Sequence, residues 1–271
     1  MNPSVPQEVL DYFIDELPAE QAGEVRDRLV GDPGASGQVL DALLTVREPA
    51  PIPGGITERL DELLAARAAS LPRQDAEVLE PCGDSGFARH LVIWRGDLTR
   101  LAADVIVNAA NSRMLGCFIP GHACIDNAIH RVAGPALRLA CHEHIRARGH
   151  PEPTGTATLT PGYHLPARFV AHTVGPVVEA DAPSERDAGL LASCYRSILD
   201  ACHGRGLSTV GFCAISTGVF GYPKRDAAVV ALTTIRDWLA GHPGTTVRPI
   251  VSAFTETDLA IHREALTEVD R

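Results

Sequence analysis

No apolar stretch in the 271 residues reaches the length needed to span a bilayer, so no membrane partner is expected. Basic runs are missing as well. Lys and Arg number 24 against 34 Asp and Glu, a formal net charge of −10. A protein that tracks nucleic-acid phosphates presents a basic face, so no nucleic-acid partner is expected either. A local anion site stays compatible with this charge, because backbone N–H groups can form one without basic side chains. The opening residues, Met1 to Glu8, lack the basic-then-apolar pattern of a secretory signal, and a cytoplasmic location is expected. Internal repeats and low-complexity tracts are absent. What is present is ordinary for a globular protein: 45% hydrophobic and 21% charged residues, which argues against dominant disorder. The seven cysteines are odd in number and irregularly spaced, which favours thiols or metal ligands over disulfides.

The length suits a medium domain plus a smaller one. Residues 1–75 read as a helical extension. Val9, Leu10, Phe13, Ile14 and Leu17 recur at helical spacing until Pro18. Val25, Leu29 and Val30 mark a second, short helix, and Gln38 to Val46 a third. The segment from Pro49 to Gly55 reads as a loop, after which Thr57 is placed to cap a fourth helix ending near Ala69. These helices are too short to form a catalytic domain and read as a packing or partner-binding cap. From residue 76 to 271 the pattern alternates. Strands are expected at 90–94, 104–108, 156–160, 169–173, 209–215 and 248–254, and helices at 125–132, 135–146, 188–203, 225–239 and 258–269. Such alternation predicts an α/β sandwich around a mixed sheet. Ligands on such sheets sit beyond the C-terminal strand ends, where Gly96-Asp97, Asn108 to Cys124, Ser216 to Tyr222 and Phe254 fall.

Several segments in these turns carry chemical groups. Asn108-Ala109-Ala110-Asn111 offers amides that suit sugar hydroxyls, and equally well residues that tolerate a turn. Ser216-Thr217-Gly218-Val219-Phe220-Gly221 is either a tight strand-to-helix connection or a phosphate cradle at a helix start. It is not a Walker loop, since no Gly-Lys-Ser/Thr follows. Cys117, His122 and Cys124 place two sulfurs and one imidazole in one short loop. Zinc accepts these ligands, and three of them with one open position is the catalytic arrangement. The bland reading is two free cysteines and an incidental histidine. Cys141-His142-Glu143-His144 also contains ligand types but reads as a polar helix face. Asp126 and His130 lie one helical turn apart. They serve either as cap and packing residue or as contacts for a ligand or metal-held water.

Taken together, these segments resemble the macrodomain family over residues 89–269. The resemblance is carried by Gly96-Asp97-Leu98-Thr99, by Asp104 to Asn111, and by Asp126-Asn127-Ala128-Ile129-His130-Arg131-Val132-Ala133-Gly134. His172-Thr173-Val174-Gly175-Pro176 and Ile215 to Pro223 complete it. Ordinary macrodomains have a glycine-rich stretch before the Asp126 segment. Here Gly116 to Cys124 stands in its place, which resembles the zinc-containing class that also bears an N-terminal helical extension. The resemblance implies a three-layer α/β/α sandwich with a mixed central sheet, a Zn2+ cofactor, and release of mono-ADP-ribose from modified proteins. It also implies roles. Asp97 would recognise the adenine amino group, with Leu98 beside it and Phe254 as a nearby aromatic. Ser216, Thr217, Gly218, Val219, Phe220 and Gly221 would hold the diphosphate. Asn111 and Asp126 would act at the second ribose, and Cys117, His122 and Cys124 would be the zinc ligands.

The implied partners are ADP-ribose and an ADP-ribosylated protein. Two other functions use the same pocket: a non-catalytic ADP-ribose-binding module and an O-acetyl-ADP-ribose deacetylase. Fold alone does not separate them. The Cys-His loop favours the hydrolase, because a reader has no evident need for an open metal position. The helical extension is expected to be dispensable for the chemical step, as no matched residue precedes Gly96.

Overall fold

The computed structural model describes residues 3–179 and 182–270. Four helices lead the chain: α1 (Gln7–Asp15), α2 (Ala19–Gly31), α3 (Ser36–Val46) and α4 (Gly54–Ala69). Their apolar stripes close on one another. Val9, Leu10, Phe13 and Ile14 of α1 meet Val39, Leu40 and Leu43 of α3 and Leu60, Leu63 and Leu64 of α4, giving this unit a core of its own. Helix α4 starts earlier than the sequence suggests. Pro53 is its N-cap residue, Gly54 and Gly55 are helical, and Thr57 lies inside the first turn with its hydroxyl donating to the Ile52 and Pro53 carbonyls. Proline's fixed φ starts the helix here, and the threonine is not the cap.

The remainder is built on strands β1 (Gln74–Asp75), β2 (Val92–Arg95), β3 (Leu101–Ala102) and β4 (Val105–Ala109), helices α5 (Ile125–Ala133) and α6 (Pro135–Arg148), and strands β5 (Ala157–Pro161) and β6 (Phe169–Thr173). Then come α7 (Glu185–His203), β7 (Thr209–Phe212), α8 (Lys224–Gly241), β8 (Arg248–Ala253) and α9 (Glu256–Val269). The six-stranded sheet runs β2-β8-β7-β4-β6-β5, parallel throughout except for β5, which is antiparallel to β6. Strand β7 ends at Phe212, so Cys213 and Ile215 are buried but not paired in the sheet, and Ala214 between them is exposed. The short parallel pair β1-β3 is invisible to periodicity, since two residues hold no pattern.

Helices α7 and α9 start on capping boxes, Ser184 with Asp187 and Thr255 with Asp258. The core is one cluster around β4, β6 and β7, with Val105, Ile106, Val107, Val170 and Val210 fully buried. Both faces of these parallel strands are covered, which explains their unbroken apolar runs. Among the described residues, no helix is long and apolar enough to cross a membrane.

Candidate functional site

Sheet order decides which loops meet. Strands β2, β8, β7 and β4 are parallel neighbours, so their C-terminal ends open onto one edge. Along that edge lie Asp97 and Leu98 after β2, Phe254 after β8, Ser216 to Gly221 after β7, and Asn111 to Cys124 after β4. The first two loops are stitched together, with Gly96 N donating to Ala253 O at 3.0 Å and Ser252 Oγ to Gly96 O at 3.0 Å. Asp97 caps a 3-10 turn, Leu98–Arg100, and its Oδ1 accepts from Thr99 N at 2.9 Å and Thr99 Oγ1 at 2.8 Å. Leu98 is buried beneath it, whereas Phe254 is 74% exposed at the rim.

The loop after β7 is held open by its backbone. Ser216 has φ +65° and Gly221 φ +72°. Tyr222 N closes on Ser216 O at 3.0 Å, and Val178 N on Phe220 O at 2.8 Å. Ser216 Oγ is buried without a hydrogen-bond partner. A Cβ on Gly175 would lie 2.0 Å from that oxygen, so only glycine allows the chain after β6 to pass here. Val219, 82% exposed, tops the loop.

Asn111 braces its own turn. Its Nδ2 donates to Gly116 O at 2.8 Å, and its Oδ1 accepts from Arg113 N at 3.0 Å. Beyond it, one ligand atom from each of Cys117, His122 and Cys124 falls within 4.8 Å of the other two, and this is the one such group among the described residues. The loop fits a cation. His122 Nδ1 is buried with no partner. Cys124 is the N-cap of α5, its Sγ accepting from Asn127 N at 3.3 Å. Asn127 Nδ2 in turn holds His122 O at 3.0 Å and Ile119 O at 3.3 Å. Burial, with Cys117 and Asp126 adding to it, pushes the Cys124 thiol up to about 11 against the opposing Asn127 N–H. A bound dication reverses that preference and holds thiolates deprotonated.

Beneath the loop sits a buried polar cluster. Asn108 Nδ2 lies 2.8 Å from Asp126 Oδ1 and 3.2 Å from His172 Nδ1. Asp126 therefore does not cap α5; it points inward, and burial raises its carboxyl to about 6 despite Asn108 and Arg138. His130 Nε2 is 3.5 Å from Asp126 Oδ1, too far and too poorly directed for a firm hydrogen bond. Burial, reinforced by the neighbouring His172 and the Arg138 guanidinium, drives His130 well below its usual range. Burial lowers His172 to about 3, so the ring is neutral. Its Nδ1 accepts from Asn108, and its Nε2–H faces Thr160 Oγ1 at 2.9 Å.

Cys141 departs from the polar helix face read in the sequence. It is fully buried, with Sγ 3.7 Å from His172 Nε2, because the inner side of α6 packs on β6 and β5. Asn127, His172 and Gly175 belong to the family-like segments, but nothing in the sequence assigns them a role. The Asn127 brace joins an amide to backbone carbonyls, a pairing that spacing does not reveal.

An α/β domain that gathers an acidic turn, a glycine-containing loop and a Cys-His loop on one sheet edge presents a ligand crevice of the kind open parallel sheets form beyond their C-terminal strand ends. The family model described as Macro domain matches residues 107–231. A protein-ADP-ribose hydrolase of Staphylococcus aureus is 43% identical over 212 residues, covering 76% of this chain and 77% of that one. Another, from Treponema medium, is 45% identical over 175 residues; the match spans 65% of this chain and 66% of the relative. The Trypanosoma brucei macrodomain in complex with ADP-ribose superimposes with a TM-score of 0.64 at 34% identity, covering 83% of this chain and 94% of that one. The chain belongs to the macrodomain family.

Proposed function

We propose that this chain is a zinc-dependent hydrolase that binds ADP-ribose along the sheet edge and releases mono-ADP-ribose from modified proteins. The observation that carries the reading is the Cys117, His122 and Cys124 group, three ligand atoms within 4.8 Å, set beside the buried Asp126. The names of the Staphylococcus aureus and Treponema medium relatives support the reaction class, and the Trypanosoma brucei complex supports the ligand.

The order of loops along the edge suits an extended ligand. Asp97, Leu98 and Phe254 hold adenine at the β2/β8 end. The Ser216 to Gly221 loop takes the diphosphate in the middle, with backbone N–H groups and the freed Ser216 hydroxyl as donors. The second ribose then falls between that loop and the turn of Asn111. There Asn111 orients a ribose hydroxyl once its loop hydrogen bonds exchange. Asp126, held by Asn108, accepts a proton or positions a hydroxyl. Cys117, His122 and Cys124 would hold a zinc ion, which would supply Lewis-acid polarisation and ease deprotonation of a nearby oxygen.

The test is hydrolysis of an auto-ADP-ribosylated protein with and without a chelator, alongside metal analysis. Turnover that tracks about one zinc per chain is the expected result. Full turnover by metal-free protein removes the zinc dependence. ADP-ribose binding without any turnover leaves a binding module.

A further inference from the structure

Arg138, on α6, joins the helical unit to the Cys-His loop. Its Nη1 donates to Leu44 O at 2.8 Å and to Arg47 O at 2.6 Å. Leu44 lies in the last turn of α3, and Arg47 is that helix's C-cap residue, where carbonyls lack helical partners and the dipole favours a cation. Arg138 therefore caps α3 from the other unit. The same guanidinium covers the Phe118 ring, with Cζ 4.6 Å from its centroid. Phe118 directly follows Cys117 and sits at φ +53°, a left-handed conformation that bulky residues avoid. Something must hold it there, and the arginine is in place. Gly116, at φ +81°, lets the loop turn past, since a Cβ there would come within 3.3 Å of Arg138 Nη2 and of His130 Cδ2. Arg138 is 6% exposed, so its guanidinium lies among these partners and not in solvent.

We infer that Arg138 is a positioning residue through which the N-terminal helical unit holds the metal-ligand loop in its binding geometry. This rests on the zinc reading of that loop. It runs against the expectation that the extension is dispensable for the chemistry. The helical unit supplies two carbonyls that fix the guanidinium, the guanidinium fixes Phe118, and Phe118 fixes the backbone between Cys117 and His122.

The experiment compares the full-length wild type with Arg138→Gln, Arg138→Lys and Phe118→Leu. Each is measured for zinc retention against a competing chelator, for ADP-ribose affinity, and for kcat and KM. Partners that orient metal ligands contribute about 10–100-fold in metal affinity. Arg138→Gln should weaken zinc retention by about tenfold or more, lower kcat, and leave ADP-ribose affinity within about twofold. Arg138→Lys should fall between, because it keeps the charge and loses the planar stack. Phe118→Leu removes the stack but leaves the Arg138 bonds to the α3 carbonyls in place, and should shift zinc retention in the same direction even if Arg138→Gln folds poorly. A folded Arg138→Gln or Phe118→Leu that keeps zinc and kcat at wild-type values overturns the positioning role. Wild type that retains no zinc overturns the metal reading itself, and the inference with it. Equal losses of zinc, ADP-ribose affinity and cooperative unfolding would make Arg138 a general structural residue and also overturn the inference.

Discussion

The two hydrophobic cores are built to different rules. The helical unit buries Val9, Leu10, Phe13, Ile14, Leu40 and their neighbours, and Thr45 is the one polar residue buried there among those described. Its hydroxyl is satisfied locally, by Asp41 O at 2.6 Å. The macrodomain buries Asn108, Asp126, His130, His172 and Arg138 close together, and leaves Asn108 Oδ1, both His130 nitrogens and Arg138 Nε without hydrogen-bond partners. Leaving such groups unpaired is costly, so they persist where function or a bound group requires them. One unit is organised for packing and the other around buried polar groups. Arg138 joins them from inside, beside the outer His164–Asp61 and Arg131–Asp41 pairs.

The largest expected effect lies on the chemical side. Replacing Cys124 with Ser or His122 with Ala should remove the metal and with it several kcal/mol of transition-state stabilisation, on the order of 10³-fold in kcat. ADP-ribose affinity should change little, because the interaction matters most in the transition state. Single-turnover hydrolysis, calorimetry and metal analysis on the same preparations check this. Joint loss of binding and cleavage would mean that the loop shapes the pocket rather than acting on the bond.

The converse lies in the helical core. Ile14→Ala should cost about 3 kcal/mol of stability through lost burial and a cavity, with hydrolysis well below Tm unchanged. Calorimetry also shows whether the two units melt together. Two separate transitions, with only the first moved by Ile14→Ala, would show the cores to be energetically independent. A single shifted transition would show them coupled across their shared surface, where α3 and α4 pack on α5 and Arg138 reaches the end of α3.

A smaller effect is expected at the adenine end. Asp97→Ala should weaken ADP-ribose binding by about 2 kcal/mol, since it removes a carboxylate acceptor. Loss of the Thr99 cap is included in that figure. Unchanged affinity by titration calorimetry would remove the adenine role.

The smallest effect appears only on acidification. His172 is held below its unfolded value of about 6.5, at about 3. Between those values the unfolded chain binds a proton that the native chain does not. His172 therefore contributes stability above pH 6.5 that is lost as pH falls toward 3, by up to about 1.4 kcal/mol per pH unit. Thermal melts from pH 7 to 5 should fall more steeply for wild type than for His172→Gln. Parallel profiles would show that the ring is not the titrating group. The helical core buries no ionisable residue among those described, so substitutions there should leave the pH profile unchanged.

Local patterning made most of the elements legible. The apolar spacing of α1, the runs of β4 and β6, and the start of α6 at Pro135 all appear where the pattern predicts. The failures have specific causes. Thr57 looked like a cap, but Pro53 begins the helix. Cys141 looked polar by its neighbours, but only tertiary packing tells which face of α6 turns inward. The Cys117, His122 and Cys124 group was visible because its members are close in sequence, as are the residues of the Ser216 to Gly221 loop.

The alternating α/β pattern, the helical extension and the local chemistry of each loop follow from the chain's local order, because period, turn residues and short spacings are properties of neighbouring residues. Packing alone brings Asn108 between Asp126 and His172, makes Gly175 yield space to Ser216, and carries Arg138 from the end of α3 to Phe118. Those contacts link residues 18 to 94 positions apart in hydrogen-bonded pairs alone. Sheet order and helix docking set such pairings, and no local pattern encodes them.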